Sequence, residues 1–107
     1  MHGIGRQNLK QINDHQEECL TILIEECAEV IQIASKIKRF GLIGKNTNST
    51  LTNLENLEAE LGDVLALIDM ATNSGIGITK EGIENSRVNK MQRLTKFMHT
   101  WGDSSGV

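Results

Sequence analysis

The 107-residue chain has no proline and no tyrosine, and only two phenylalanines and one tryptophan. So few large rings speak against an all-β sandwich or barrel, whose strands favour aromatic and β-branched side chains. Basic residues are not in excess: 11 Lys and Arg stand against 14 Asp and Glu, a formal net charge of −3. Bulk nucleic-acid binding needs a surplus of cations to neutralise phosphates, so no nucleic-acid partner is expected. No apolar run approaches the roughly 18 residues of a transmembrane helix. The start, Met1-His2-Gly3-Ile4-Gly5-Arg6, lacks the apolar stretch of a secretory signal. Cysteine is scarce too. Cys19 and Cys27 lie eight residues apart on a predicted helix. That is about 12 Å along its axis, too far for a bridge. Both are expected to be small buried hydrophobes of a reducing compartment. The expectation is a cytoplasmic protein without a membrane partner.

Apolar residues make up 38% of the chain and charged ones 23%, with both signs mixed, as in a globular protein. The length suits one domain over residues 1–107, with a core at about 12–99. Gly41-Leu42-Ile43-Gly44-Lys45-Asn46-Thr47-Asn48-Ser49-Thr50 reads as a loop, Asn73-Ser74-Gly75-Ile76-Gly77 as a shorter break, and 102–107 as a tail.

Between the breaks the apolar residues keep helical spacing. Leu20, Leu23, Ile24, Cys27, Ile31 and Ala34 mark a first helix ended by Gly41, with Asp14 and Glu17 as its capping pair and an extension back through Leu9 and Ile12. Leu54, Leu57, Leu61, Val64, Ile68 and Ala71 mark a second, with Thr52 and Glu55 as a capping box. Ile83, Val88, Met91, Leu94 and Met98 mark a third, from about Thr79 to about His99. The fold class is all-α: three to four helices in a bundle. The first helix also carries Ile22, Ile33, Ile37 and Phe40 on an adjacent strip. A helix apolar on so much of its surface is buried on more than one side. The expectation is a partner chain completing the bundle, most simply in a homodimer.

Two acidic pairs stand out within these apolar stripes: Glu26 with Glu29, and Glu60 with Asp63. Residues three apart share a helix face, so each pair points one way. Glu25 lies at the edge of the first pair, and Gly62 within the second would admit a ligand or another backbone. If the helices pair antiparallel, four carboxylates converge. They then share protons or bind a cation. All-oxygen ligands suit Mg²⁺ or Mn²⁺, and Mg²⁺ favours polyphosphate substrates. The competing reading is a solvated acidic helix face. A di-iron bundle wants Glu-x-x-His pairs, and no Glu stands three positions before His2, His15 or His99. Gly41 to Lys45 lacks the pattern of a phosphate-binding loop. Phe40 and Phe97 are expected in the core; Trp101 is uncommitted.

Glu25-Glu26-x-x-Glu29 followed by Glu60-x-x-Asp63 resembles the signature of the MazG-like nucleoside triphosphate pyrophosphohydrolases. The similarity runs from about Leu20 to Met98 and includes Lys38-Arg39-Phe40-Gly41. The resemblance implies hydrolysis of a nucleoside triphosphate to its monophosphate and diphosphate. It implies Mg²⁺, with Mn²⁺ as the alternative, on Glu26, Glu29, Glu60 and Asp63. Glu25 matches the remaining acid and takes a base or supporting role. Asn89-Lys90-Met91-Gln92-Arg93 matches the family's basic stretch in part, which makes Lys90 and Arg93 candidates for phosphate contact. Lys36 and Arg39, beyond Glu29 on a related side, are candidates for substrate contact. A homo-oligomer, dimer or tetramer, is implied. Two alternatives stay open: an enzyme acting on phosphoribosyl-ATP, and a non-catalytic helical dimerisation module.

Overall fold

A computed structural model describes residues 11–45 and 50–100; Leu9 and Trp101 lie outside them. The described residues form three helices, α1 (Asp14–Phe40), α2 (Asn53–Thr72) and α3 (Lys80–Phe97). None of them belongs to a strand; there is one isolated antiparallel bridge, Lys45 with Thr52. The chain is all-α, as its apolar spacing predicts. Among the described residues no helix is long and apolar enough to cross a membrane. The chain forms two compact units, Met1–Ile76 and Gly77–Val107.

In the first unit α1 and α2 pack as an antiparallel hairpin, joined by polar bonds at each end. At one end Gln16 does three things. Its backbone N–H donates to Asn13 Oδ1 at 2.8 Å, its Oε1 accepts from the Asn13 N–H at 2.9 Å, and its Nε2 donates to the Ser74 carbonyl at 3.0 Å. The capping box of α1 is therefore Asn13 with Gln16, one residue earlier than the Asp14–Glu17 pair expected. Asn13 wins because its side chain accepts as well as Asp and its partner three residues on is drawn into the hairpin. Gly75 (φ 85°) turns the chain here, and a Cβ on it would lie 3.3 Å from Gln16 Nε2. At the other end Asn53 Nδ2 donates to the Gly41 carbonyl at 3.0 Å, and the Asn53 and Leu54 N–H groups donate to the Gly44 and Leu42 carbonyls. Thr52 and Glu55 form the expected capping box of α2, and the Thr52 amide and hydroxyl hold the Glu55 carboxyl below its ordinary range.

These end bonds set the register. They place Cys19 level with Ala71, Glu26 with Asp63, Glu29 with Glu60, and Ile33 with Leu57. Cys19, Ala71 and Ile33 are the buried apolar residues. The remaining core is shallow within one chain. Ile24 and Ile31 are 69% and 66% exposed, and Leu54 and Leu61 of the α2 stripe are also exposed. Two hairpin helices offer each other one face apiece, so a stripe wider than that face stays uncovered. For the same reason Cys27 and Phe40, expected inside, are exposed. Both cysteines are free, as their spacing requires.

In the second unit Thr79 caps α3 by accepting the Gly82 N–H at 2.9 Å. Helix α3 buries none of its residues. Phe97, expected in the core, is exposed. Glu84 and Arg87 form a bidentate pair on its surface at 2.8 and 2.6 Å.

Candidate metal centre

Helical spacing and antiparallel register together bring the acids to one place. Glu26 and Glu29 lie one turn apart on α1, opposite Asp63 and Glu60 on α2. One carboxylate oxygen each of Glu26, Glu60 and Asp63 lie within 4.8 Å of one another. Oxygens held by one ion at about 2.1 Å stand about 3.0 Å apart when cis and about 4.2 Å apart when trans, so the three carboxylates would draw closer together on sharing a cation.

Glu26 and Glu60 are half-buried residues, yet Oε2 of each is shut off from solvent and, while the carboxylates are ionised, has no hydrogen-bond partner. Buried polar atoms without a partner are rare and costly, because the lost hydration is not replaced. The titration behaviour agrees. The Glu60 carboxyl is pushed up to about 7, first by the proton it can share with Glu29, then by burial and by repulsion from Glu29 and Glu26. Burial raises Glu26 as well, with repulsion from Glu29 and Asp63 adding to it. Glu29 thus belongs to the cluster although it is itself exposed. Hard carboxylate oxygens with two orphaned members fit a hard divalent cation. A solvated acidic face would leave no carboxylate oxygen buried and unpartnered.

The other predicted residues fall in different places. Glu25 is exposed and outside the group of three converging oxygens. Lys36 is half-buried near the end of α1, where it lines a cleft with Phe40, Gly44, Lys45 and Asn53. Arg39 is exposed, its guanidinium carbon 5.4 Å from the centroid of the Phe40 ring. Lys90 and Arg93 are exposed on α3, in the second unit. A Cβ on Gly62 would meet nothing within 4 Å, so none of the other described residues approaches closely there. Sequence reasoning missed the cleft residues Gly44, Lys45 and Asn53. The available signal was Asn53 directly after the Thr52 cap, where a buried amide can tie the incoming loop.

The sequence model of the MazG nucleotide pyrophosphohydrolase domain matches residues 14–98, which spans all three helices. Comparison with curated proteins and with solved structures gave no match. The matched span contains both acidic pairs and their register across the hairpin, and the chain belongs to the MazG nucleotide pyrophosphohydrolase domain family.

Proposed function

We propose that this protein is a Mg²⁺-dependent nucleoside triphosphate pyrophosphohydrolase, converting NTP or dNTP and water to NMP or dNMP and diphosphate in the service of nucleotide-pool cleansing. The observation that carries the reading is the pair of buried, partnerless oxygens on Glu26 and Glu60 within a four-acid cluster. A cluster that only solvated a helix face would satisfy those atoms with water. Glu26, Glu29, Glu60 and Asp63 are the residues that would hold Mg²⁺, or Mn²⁺ in its place. When bound, such an ion offsets phosphate charge and lowers the pKa of an attacking water.

The chain's own residues supply the rest. The water oxygen bonds to the α-phosphorus as the α–β bridging P–O bond breaks, and diphosphate carries away the electron pair. Glu25 takes the base role and accepts the water's proton, a reading supported by its place directly before Glu26 in α1 and outside the converging oxygens. Lys36 and Arg39 on α1 bind substrate; Lys90 and Arg93, in the second unit, are the phosphate-contact candidates that the family resemblance implies. Phosphoryl-type transfer asks mainly for positioning and charge stabilisation, which this set provides.

The assembly is a homo-oligomer, most simply a dimer. Ile24 and Ile31, seven residues apart and so on one face of α1, are both exposed, which supports that reading because an apolar helix face left open within one chain is buried by packing on a second copy. Two unpaired cysteines favour a cytoplasmic setting. The test is diphosphate release from a panel of nucleoside triphosphates with Mg²⁺ and with excess chelator. Release that survives chelation ends the metal-dependent reading. Light scattering on Ile24→Glu and Ile31→Glu checks the assembly, with loss of the oligomer expected.

A further inference from the structure

The loop-side end of the hairpin holds a cleft of about 270 Å³ lined by Lys36, Phe40, Gly44, Lys45 and Asn53. Its walls are built rather than incidental. Asn53 is 4% exposed and ties the loop to α2 through Gly41 and Gly44. A Cβ on Gly44 would sit 3.0 Å from Asn53 Nδ2 and 3.3 Å from the Phe40 carbonyl, so a larger residue there would press on the wall. The same loop occupies the Asn53 and Leu54 N–H groups, so the start of α2 offers no free amides to a phosphate.

Besides the buried Asn53 amide, which is tied to Gly41, the cleft offers a ring and two lysine donors. Phe40 is 68% exposed, which leaves its ring open at the cleft. Arg39 holds one side of its ring by a cation–π contact. An exposed aromatic face is a stacking surface for any nucleobase. Lys36 and Lys45 carry three N–H donors each and no acceptor. The location is equally specific. Lys36 lies seven residues beyond Glu29, and Asn53 seven before Glu60. Seven residues are nearly two whole helical turns, so Lys36 and Asn53 lie on the same side of the hairpin as the acids, about 10 Å farther along it. Buried Ile33 floors the stretch between them.

We infer that this cleft is the base subsite, and that it selects nucleotides whose base carries a keto oxygen at purine position 6 or pyrimidine position 4. Guanine presents O6 and N7 as adjacent acceptors, and uracil and thymine present O4. Adenine and cytosine place an amino donor at the corresponding position, which two ammonium groups cannot accept. The inference rests on the pyrophosphohydrolase reading, since it needs a triphosphate gripped at the acids to direct its nucleoside toward the cleft.

The test is initial-rate diphosphate release with Mg²⁺ from dGTP, dATP, dUTP and dCTP. The kcat/KM ratios dGTP over dATP and dUTP over dCTP are expected to exceed about tenfold in the wild type. Lys36→Met and Lys45→Met, which keep an apolar stem but lose the donors, should each draw the ratios toward one. Phe40→Ala, or the milder Phe40→Leu, should lower kcat/KM for all four nucleotides, chiefly through KM. All three positions are wholly or partly exposed, and circular dichroism confirms that each variant folds. Calorimetric titration of dGMP against dAMP with Mg²⁺ reads the same selectivity without turnover. Equal treatment of the four nucleotides by an active wild type, or ratios that survive both lysine substitutions, overturn the subsite and leave the pyrophosphohydrolase standing. Failure of the wild type to release diphosphate from any nucleotide overturns both.

Discussion

At the two ends of the α1–α2 hairpin, buried amides find partners: Gln16 binds Asn13 and Ser74, and Asn53 binds Gly41 and Gly44. In the middle, Oε2 of Glu26 and of Glu60 find none. The same two helices supply both kinds of site. A satisfied buried polar group contributes to holding the hairpin in register. An unsatisfied carboxylate costs stability in the free protein and is recovered when a cation binds. The ends therefore exist to position the middle, and their substitutions should affect different measurements.

The largest effect separates them most clearly. Glu29→Gln and Asp63→Asn should reduce diphosphate release by on the order of a thousandfold or more. Thermal unfolding of the metal-free protein should be unchanged or raised, because one repelling charge is gone. Full activity in either variant removes these acids from the site.

The next prediction concerns pH. Glu60 and Glu26 titrate above the ordinary carboxylate range when folded, so the folded chain binds their protons more tightly than the unfolded one. Their contribution to stability is present below the ordinary value near 4.5 and is lost as pH rises through about 7. The Tm of metal-free protein should fall between about pH 5 and pH 8, and millimolar Mg²⁺ should flatten the fall, since the ion replaces the shared proton. Glu60→Gln should flatten it without metal. A metal-free Tm that climbs over that interval contradicts the cluster.

The end bonds come third. Gln16→Ala and Asn53→Ala each strand a buried partner and should cost about 1–3 kcal/mol in denaturant unfolding. Activity should fall only as far as the folded fraction does for Gln16→Ala. The smallest effect belongs to the α3 surface: Glu84→Ala breaks the exposed pair with Arg87 and should leave the melting curve where it was.

Much of this arrangement is legible in the residues. Thr52 with Glu55, the stop at Gly41 and the break at 73–77 mark the helices, because capping and backbone freedom are local properties. The i, i+3 acids follow from helical periodicity alone. Other features are not local. Asn13 rather than Asp14 caps α1 because its partner Gln16 is pulled toward Ser74, 58 positions away. Phe40 and Cys27 look like core residues by composition, but one neighbouring helix covers only one face of α1. Asn53 passes for an ordinary first helical residue until the loop folds back over it.

The order of residues by itself determined which segments are helical and which acids share a face, since both depend on contacts within four residues. Only the tertiary structure decided that the two acidic faces meet and that two of their oxygens lie buried without partners. It likewise decided that a ring and two lysines line one cleft at the loop-side end of the same hairpin. Those outcomes depend on the register between helices, which is set by bonds between residues far apart in the chain.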